Sequence, residues 1–164
     1  MKTLISKLVV IVAFVCATNV NAQNQNQFDA QLETTLRNIN SDDAASVAKG
    51  MDELKRIASQ YPDAWLPTYY QALSALQYAV RFPHDNHSSS FLEAAKTGIE
   101  ALRTKPAADQ SEVLTLNGFY YTAPIVQNPA VNGQKYYMDA IASYKAPIPP
   151  TPVPACFFTS SLRT

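Results

Sequence analysis

The chain has 164 residues, with 13 basic and 13 acidic side chains, 47% hydrophobic residues and a formal net charge of zero. That length suits one domain of ordinary size. The balanced charge argues against a nucleic-acid binder, which would gather Lys and Arg into a basic patch.

Residues 1–22 read as a secretory signal peptide. Lys2 and Lys7 form a basic start, Leu8 to Ala17 is uncharged and apolar, and Val20-Asn21-Ala22 offers small residues at the −3 and −1 positions of a cleavage site. Ten apolar residues are too few for a membrane span, which needs about 20. A lipoprotein acylated at Cys16 is the alternative, but Phe14-Val15 fits that site less well than Ala22 fits simple export. Cleavage leaves 142 residues, with 11 basic against 13 acidic. Cys16 departs with the leader and Cys156 sits in an anomalous tail, so the exported domain has no disulfide framework.

Residues 23–27 (QNQNQ) read as a disordered polar lead-in. Phe28, Leu32, Leu36 and Ile39 then recur at helical spacing. Ser41-Asp42-Asp43 supplies a cap for a second helix whose Val47, Met51, Leu54 and Ala58 share a face. Tyr61-Pro62-Asp63 ends it. Trp65 to Val80 is the most apolar helix, with Trp65, Tyr69, Ala72, Leu76 and Ala79 along one side and Tyr70, Leu73 and Tyr78 on others, so it is expected to be contacted on several faces.

After a loop at 81–87, Ser90-Phe91-Leu92-Glu93 has the spacing of a capping box, and Leu92, Ala95, Ile99 and Leu102 continue a helix to Lys105-Pro106. Asp109-Gln110-Ser111-Glu112 repeats that logic ahead of Val113, Leu116, Tyr120 and Ala123. Residues 124–133 read as a loop and Lys135 to Lys145 as the last helix. No segment alternates with a period of two long enough to call for a sheet, so the expected class is all-α. Tyr69/Tyr70, Tyr120/Tyr121 and Tyr136/Tyr137 form doublets. Neighbouring helical positions point about 100° apart, so one ring can pack while the other faces a groove. Ordinary inter-helix packing explains them more simply.

Three stretches, Trp65–Ala72, Leu114–Tyr121 and Tyr137–Lys145, carry small residues beside aromatics at corresponding places. In this the chain resembles the tetratricopeptide-repeat proteins, above all loosely repeating exported bacterial ones. The resemblance covers roughly Asp43 to Lys145. It implies an α-solenoid of helix-turn-helix hairpins over 28–146, incomplete at its C-terminus, exported to the periplasm or secreted. It also implies a protein- or peptide-binding scaffold without catalysis or cofactor. Groove-facing positions by resemblance are Glu112, Thr115, Phe119 and Thr122, with Tyr69 on the earlier helix.

Where that family would open its next repeat, this chain instead places Pro147, Pro149, Pro150, Pro152 and Pro154 within eight residues. Re-reading the codons of Ile148 onward from the third base of Pro147 permits Asn, Pro, a small residue, Asn, Pro, Arg, Ala, an unspecified residue and Leu, the opening the family would show. The expectation is that 146–164 is out-of-frame product of a frameshift or a sequencing error. A genuine Pro-rich tail, with Pro147-x-x-Pro150 as an SH3-type ligand, is the alternative for 147–164.

His84-Asp85-His87 is the one cluster of ligand-type side chains, and a small-molecule or metal-binding module, or an enzyme, using it is the competing class. A credible metal site needs three or four converging ligands, and a solvated loop explains the cluster more simply. Asn86-His87-Ser88 is also a glycosylation sequon, meaningful only in a eukaryotic secretory pathway. A truncated product with no function of its own is the third reading.

Overall fold

The computed structural model describes residues 24–145. The signal-peptide reading of 1–22 and the frame change and Pro-rich tail expected from residue 146 onward lie outside the described residues. Between them the chain is all-α, in six helices: α1 (24–38), α2 (Ala44–Gln60), α3 (Leu66–Arg81), α4 (Ser88–Arg103), α5 (Gln110–Gln127) and α6 (Pro129–Lys145). Each helix from α2 onward packs against the next, and α3 also touches α5.

Local chemistry sets the boundaries. Asp43, in an extended conformation, accepts the Ser46 amide at 2.9 Å and caps α2. Asp109 does the same for α5, its Oδ1 accepting the Ser111 amide at 2.9 Å and the Ser111 hydroxyl at 2.6 Å. Those bonds satisfy donors that have no partner within the helix, and they hold the Asp109 carboxyl below the usual carboxylate range.

Three expected boundaries need correction. The polar stretch 23–27 is no lead-in from residue 24 onward, because α1 already begins there; Gln25 Nε2 donates to Asp29 Oδ1 one turn later at 3.0 Å. The capping box at Ser90 is not formed. α4 starts at Ser88, where the Ser88 hydroxyl donates to the Phe82 carbonyl at 2.6 Å, while Ser90 donates to the His87 carbonyl. The carboxylate at that helix start is Asp85, which accepts the His87 amide at 2.8 Å.

The third correction concerns 124–133, which is no loop. α5 runs through Pro124 to Gln127, and Asn128 alone separates it from α6. A proline lacks the amide that a helix interior needs, but here it falls within the last turn. Its carbonyl still accepts the Asn128 amide at 3.1 Å and Asn132 Nδ2 at 2.7 Å. Asn128 Oδ1 accepts the Val131 amide at 3.3 Å, and Pro129 takes the first helical position, where no amide is needed.

The main core lies among α2 to α5. It includes Val47, Leu76, Phe91, Ile99, Leu102, Val113 and Leu116, all buried. α3 is buried on several sides, through Pro67, Ala72, Ala75, Leu76, Tyr78 and Ala79. A smaller cluster of Phe28, Leu32, Leu54 and Ile57 holds α1 against α2, with Leu36, Leu66 and Tyr70 packed on it. Ile57, rather than the half-buried Ala58, completes the inward stripe of α2.

Small residues permit close approach where the sequence places them. A Cβ at Gly98 of α4 would lie 3.2 Å from that of Ala72, and one at Gly118 would meet the Tyr144 ring at 2.7 Å. Beneath that ring, buried Asn117 Nδ2 donates to Ser143 Oγ at 2.7 Å and ties α5 to α6. A second clip joins two loops, as Lys105 Nζ donates to the Pro62 carbonyl at 2.5 Å and the Ala64 carbonyl at 2.9 Å.

Candidate binding face

Positions 112, 115, 119 and 122 recur at spacings of three and four and fall on one side of α5. Glu112 and Thr115 are exposed, whereas Phe119 and Thr122 are half-buried. Two candidate residues from different helices meet: the Tyr69 hydroxyl on α3 donates to Glu112 Oε2 at 2.9 Å. Burial first, then this bond and the carboxylate's charge, push the Tyr69 phenol up to about 12. Trp65 and Tyr70 set their rings edge-on to Tyr69, at 5.5 and 5.3 Å between centroids, an arrangement that aromatic quadrupoles favour.

The other three candidates stand on the same side without a bond to the pair. The Thr115 hydroxyl donates to the Ser111 carbonyl and the Thr122 hydroxyl to the Gly118 carbonyl, both at 2.9 Å, so each serves its own helix. Phe119 packs against the main core with part of its ring still accessible. Glu112 does not close the box expected at the start of α5, because its carboxylate faces Tyr69 instead.

One part of this face escaped the sequence reading. Beside Tyr69, a shallow groove of about 500 Å³ runs between α1 and α3. Leu32, Leu36, Leu66 and Tyr70 form its apolar floor, and Asp29, Glu33 and Arg37 border it. Leu36 and Leu66 are half-buried apolar residues that the cluster beneath them does not fully cover. A larger cavity of about 840 Å³ lies on the other side of α1, toward α2, with Thr34, Asn38, Lys49, Asp52 and Arg56 among its lining. Its mixture of charges and lack of aromatic rings make it the poorer place for an apolar anchor.

Among the tyrosine doublets, only Tyr136/Tyr137 divides its duties, with Tyr136 half-buried and Tyr137 59% exposed. Tyr120 and Tyr121 are both half-buried in an edge contact at 5.4 Å, and Tyr121 stacks on Tyr136.

In the His84–His87 loop, His87 Nδ1 lies 2.9 Å from Asp85 Oδ1. The His87 amide, then its ring, hold the Asp85 carboxyl below its usual range. Among the described residues, no group of three or more His, Cys, Asp or Glu side chains is placed to hold a metal ion. Also among them, no helix is long and apolar enough to cross a membrane. Comparison of the chain with protein-family models, with curated proteins and with solved structures found no match.

Proposed function

We propose that this chain is an exported, non-catalytic scaffold of tetratricopeptide-like hairpins that binds a peptide or protein segment across α1, α3 and α5. The observation that carries the reading is the Tyr69–Glu112 bond beside the apolar groove. It joins positions 43 residues apart into one surface of aromatic, carboxylate and hydroxyl groups. Tyrosine suits such a surface because it combines apolar area with a hydroxyl and loses little freedom on binding. The succession of packed helices, with α3 against α5, is compatible with stacked hairpins. In the same reading, residues 146–164 are out-of-frame and a further helical repeat follows in the shifted frame. The nucleotide sequence beyond codon 145 decides that point.

The binding claim is tested by panning a random peptide display library on the purified full chain. Enriched peptides are expected to lose about tenfold or more in affinity on Thr115→Arg, a scale set by burying a charge at an interface. They should bind unchanged to Ser89→Arg, at an exposed site on α4. Equal loss in both variants, or no enrichment, would refute the assignment.

A further inference from the structure

Resting on that scaffold reading, we propose that the groove between α1 and α3, extended by Glu112, selects a cationic amphipathic segment. Such a segment sets apolar side chains on the floor and Lys or Arg along the rim.

The floor supplies the apolar half of the argument. Its volume of about 500 Å³ falls within the ~300–1,000 Å³ of cavities that accept small ligands. Leu32, Leu36, Leu66 and Tyr70 lie in two rows on two helices. The cavity is a trough open along its length rather than a closed chamber, which favours successive side chains of a chain molecule over one compact ligand.

Charge supplies the other half. Three carboxylates stand on this side, Asp29 and Glu33 on α1 and Glu112 on α5, against the single guanidinium of Arg37. Arg37 and Glu33 pair at 2.5 Å and offset each other, which leaves the charges of Asp29 and Glu112 on this side. The helices divide in the same sense. α1, α3 and α5 together carry two basic and three acidic residues, and α5 has no Lys or Arg at all. Arg81, the one base on α3, lies 2.7 Å from Asp42 at the far end of its helix. α2, α4 and α6 together carry seven basic and five acidic residues.

The helices of the binding side are therefore net negative and the other three net positive, while the loops between them add Asp42, Asp43, Asp63, Asp85 and Asp109 against Lys105. An acidic peptide or a nucleic acid would meet repulsion at this rim, whereas a basic one would be steered toward it.

Fluorescent peptides and the full chain test the proposal by anisotropy. One peptide places Leu and Lys at helical spacing, a second replaces Lys by Glu, and a third replaces Leu by Ser. The Leu/Lys peptide is expected to bind about tenfold or more tighter than either control and to weaken as salt rises, because salt screens exposed charges. Asp29→Lys/Glu33→Lys should weaken it about tenfold, since like charges across an interface are costly. Glu100→Lys/Asp139→Lys makes the same change in net charge at exposed sites outside the groove and should leave binding within about twofold.

Tight binding of the Leu/Glu or Ser/Lys peptide, or equal weakening by the two double variants, overturns the proposal. If the Leu/Lys peptide fails while display-selected neutral peptides still bind and respond to Thr115→Arg, the cationic assignment falls and the scaffold reading stands. If nothing binds, both fall.

Discussion

At the scale of single residues, two side chains reach across about forty positions of sequence to join elements. Lys105 donates to two carbonyls of the α2–α3 loop from a half-buried position. Hydrogen bonds to a charged group contribute ~1.5–3 kcal/mol, and their loss leaves the acceptors with water alone. Lys105→Met keeps most of the side-chain stem and is expected to lower the unfolding free energy by about 2 kcal/mol in urea titration.

Tyr69 makes a prediction in pH. Its pKa of about 12 in the folded chain exceeds the ~10 of an unfolded tyrosine, so the folded state holds the phenolic proton more tightly. The resulting stabilisation is complete below pH ~10 and is lost as pH rises through 10 toward 12. The difference in stability between wild type and Tyr69→Phe should therefore be constant at neutral pH and shrink over that window. A difference that grows there would contradict the assignment.

At the scale of elements, α6 is the least buried of the six helices, with only Ala140 and Ser143 enclosed. Its attachment depends on the Asn117–Ser143 bond, the Tyr144 ring over Gly118 and the cap at Asn128. Helices with few buried contacts open at low free energy, so α6 amides should exchange with deuterium before those of α3 and α4. Asn128→Ala should speed that exchange further, by an amount equivalent to about 1 kcal/mol of lost capping.

The same elements show what was legible beforehand. Apolar spacing disclosed α1 to α5, and Asp43 and Asp109 disclosed two caps, because those signals are local; α6 was read only from residue 135. The join between α5 and α6 was not legible. Pro124 and Gly133 are ordinary loop markers, and only the bonds from Asn128 and Asn132 to the Pro124 carbonyl make a helix-to-helix elbow of that stretch. The α1–α3 groove was hidden for a different reason. Leu36 and Leu66 stand thirty residues apart on separate helices, and only packing sets them side by side. Tyr69 and Glu112 were each named from the resemblance, but their mutual bond appears only once α3 lies against α5.

At the scale of the whole molecule, the large exposed apolar residues among the described ones gather on the last hairpin. Val126, Val131, Tyr137, Met138 and Tyr144 are 40–69% exposed, and four of the five belong to α6. Ile141 on the same helix is half-buried. Exposed apolar side chains of this kind, where they adjoin, mark an interaction surface or an aggregation hazard. The full chain should therefore enhance the fluorescence of an apolar dye while still folded. Tyr137→Glu/Met138→Glu should remove most of that signal without lowering the unfolding midpoint.

Binding is assigned to the opposite arrangement, the face shared by α1, α3 and α5. Amide chemical-shift mapping of the isotopically labelled full chain with a display-selected peptide tests this most directly. The largest shifts are predicted at Leu36, Leu66, Tyr70, Glu112 and Thr115, with α4 and α6 nearly silent. Shifts concentrated on Tyr137, Met138 and Tyr144 would contradict the account.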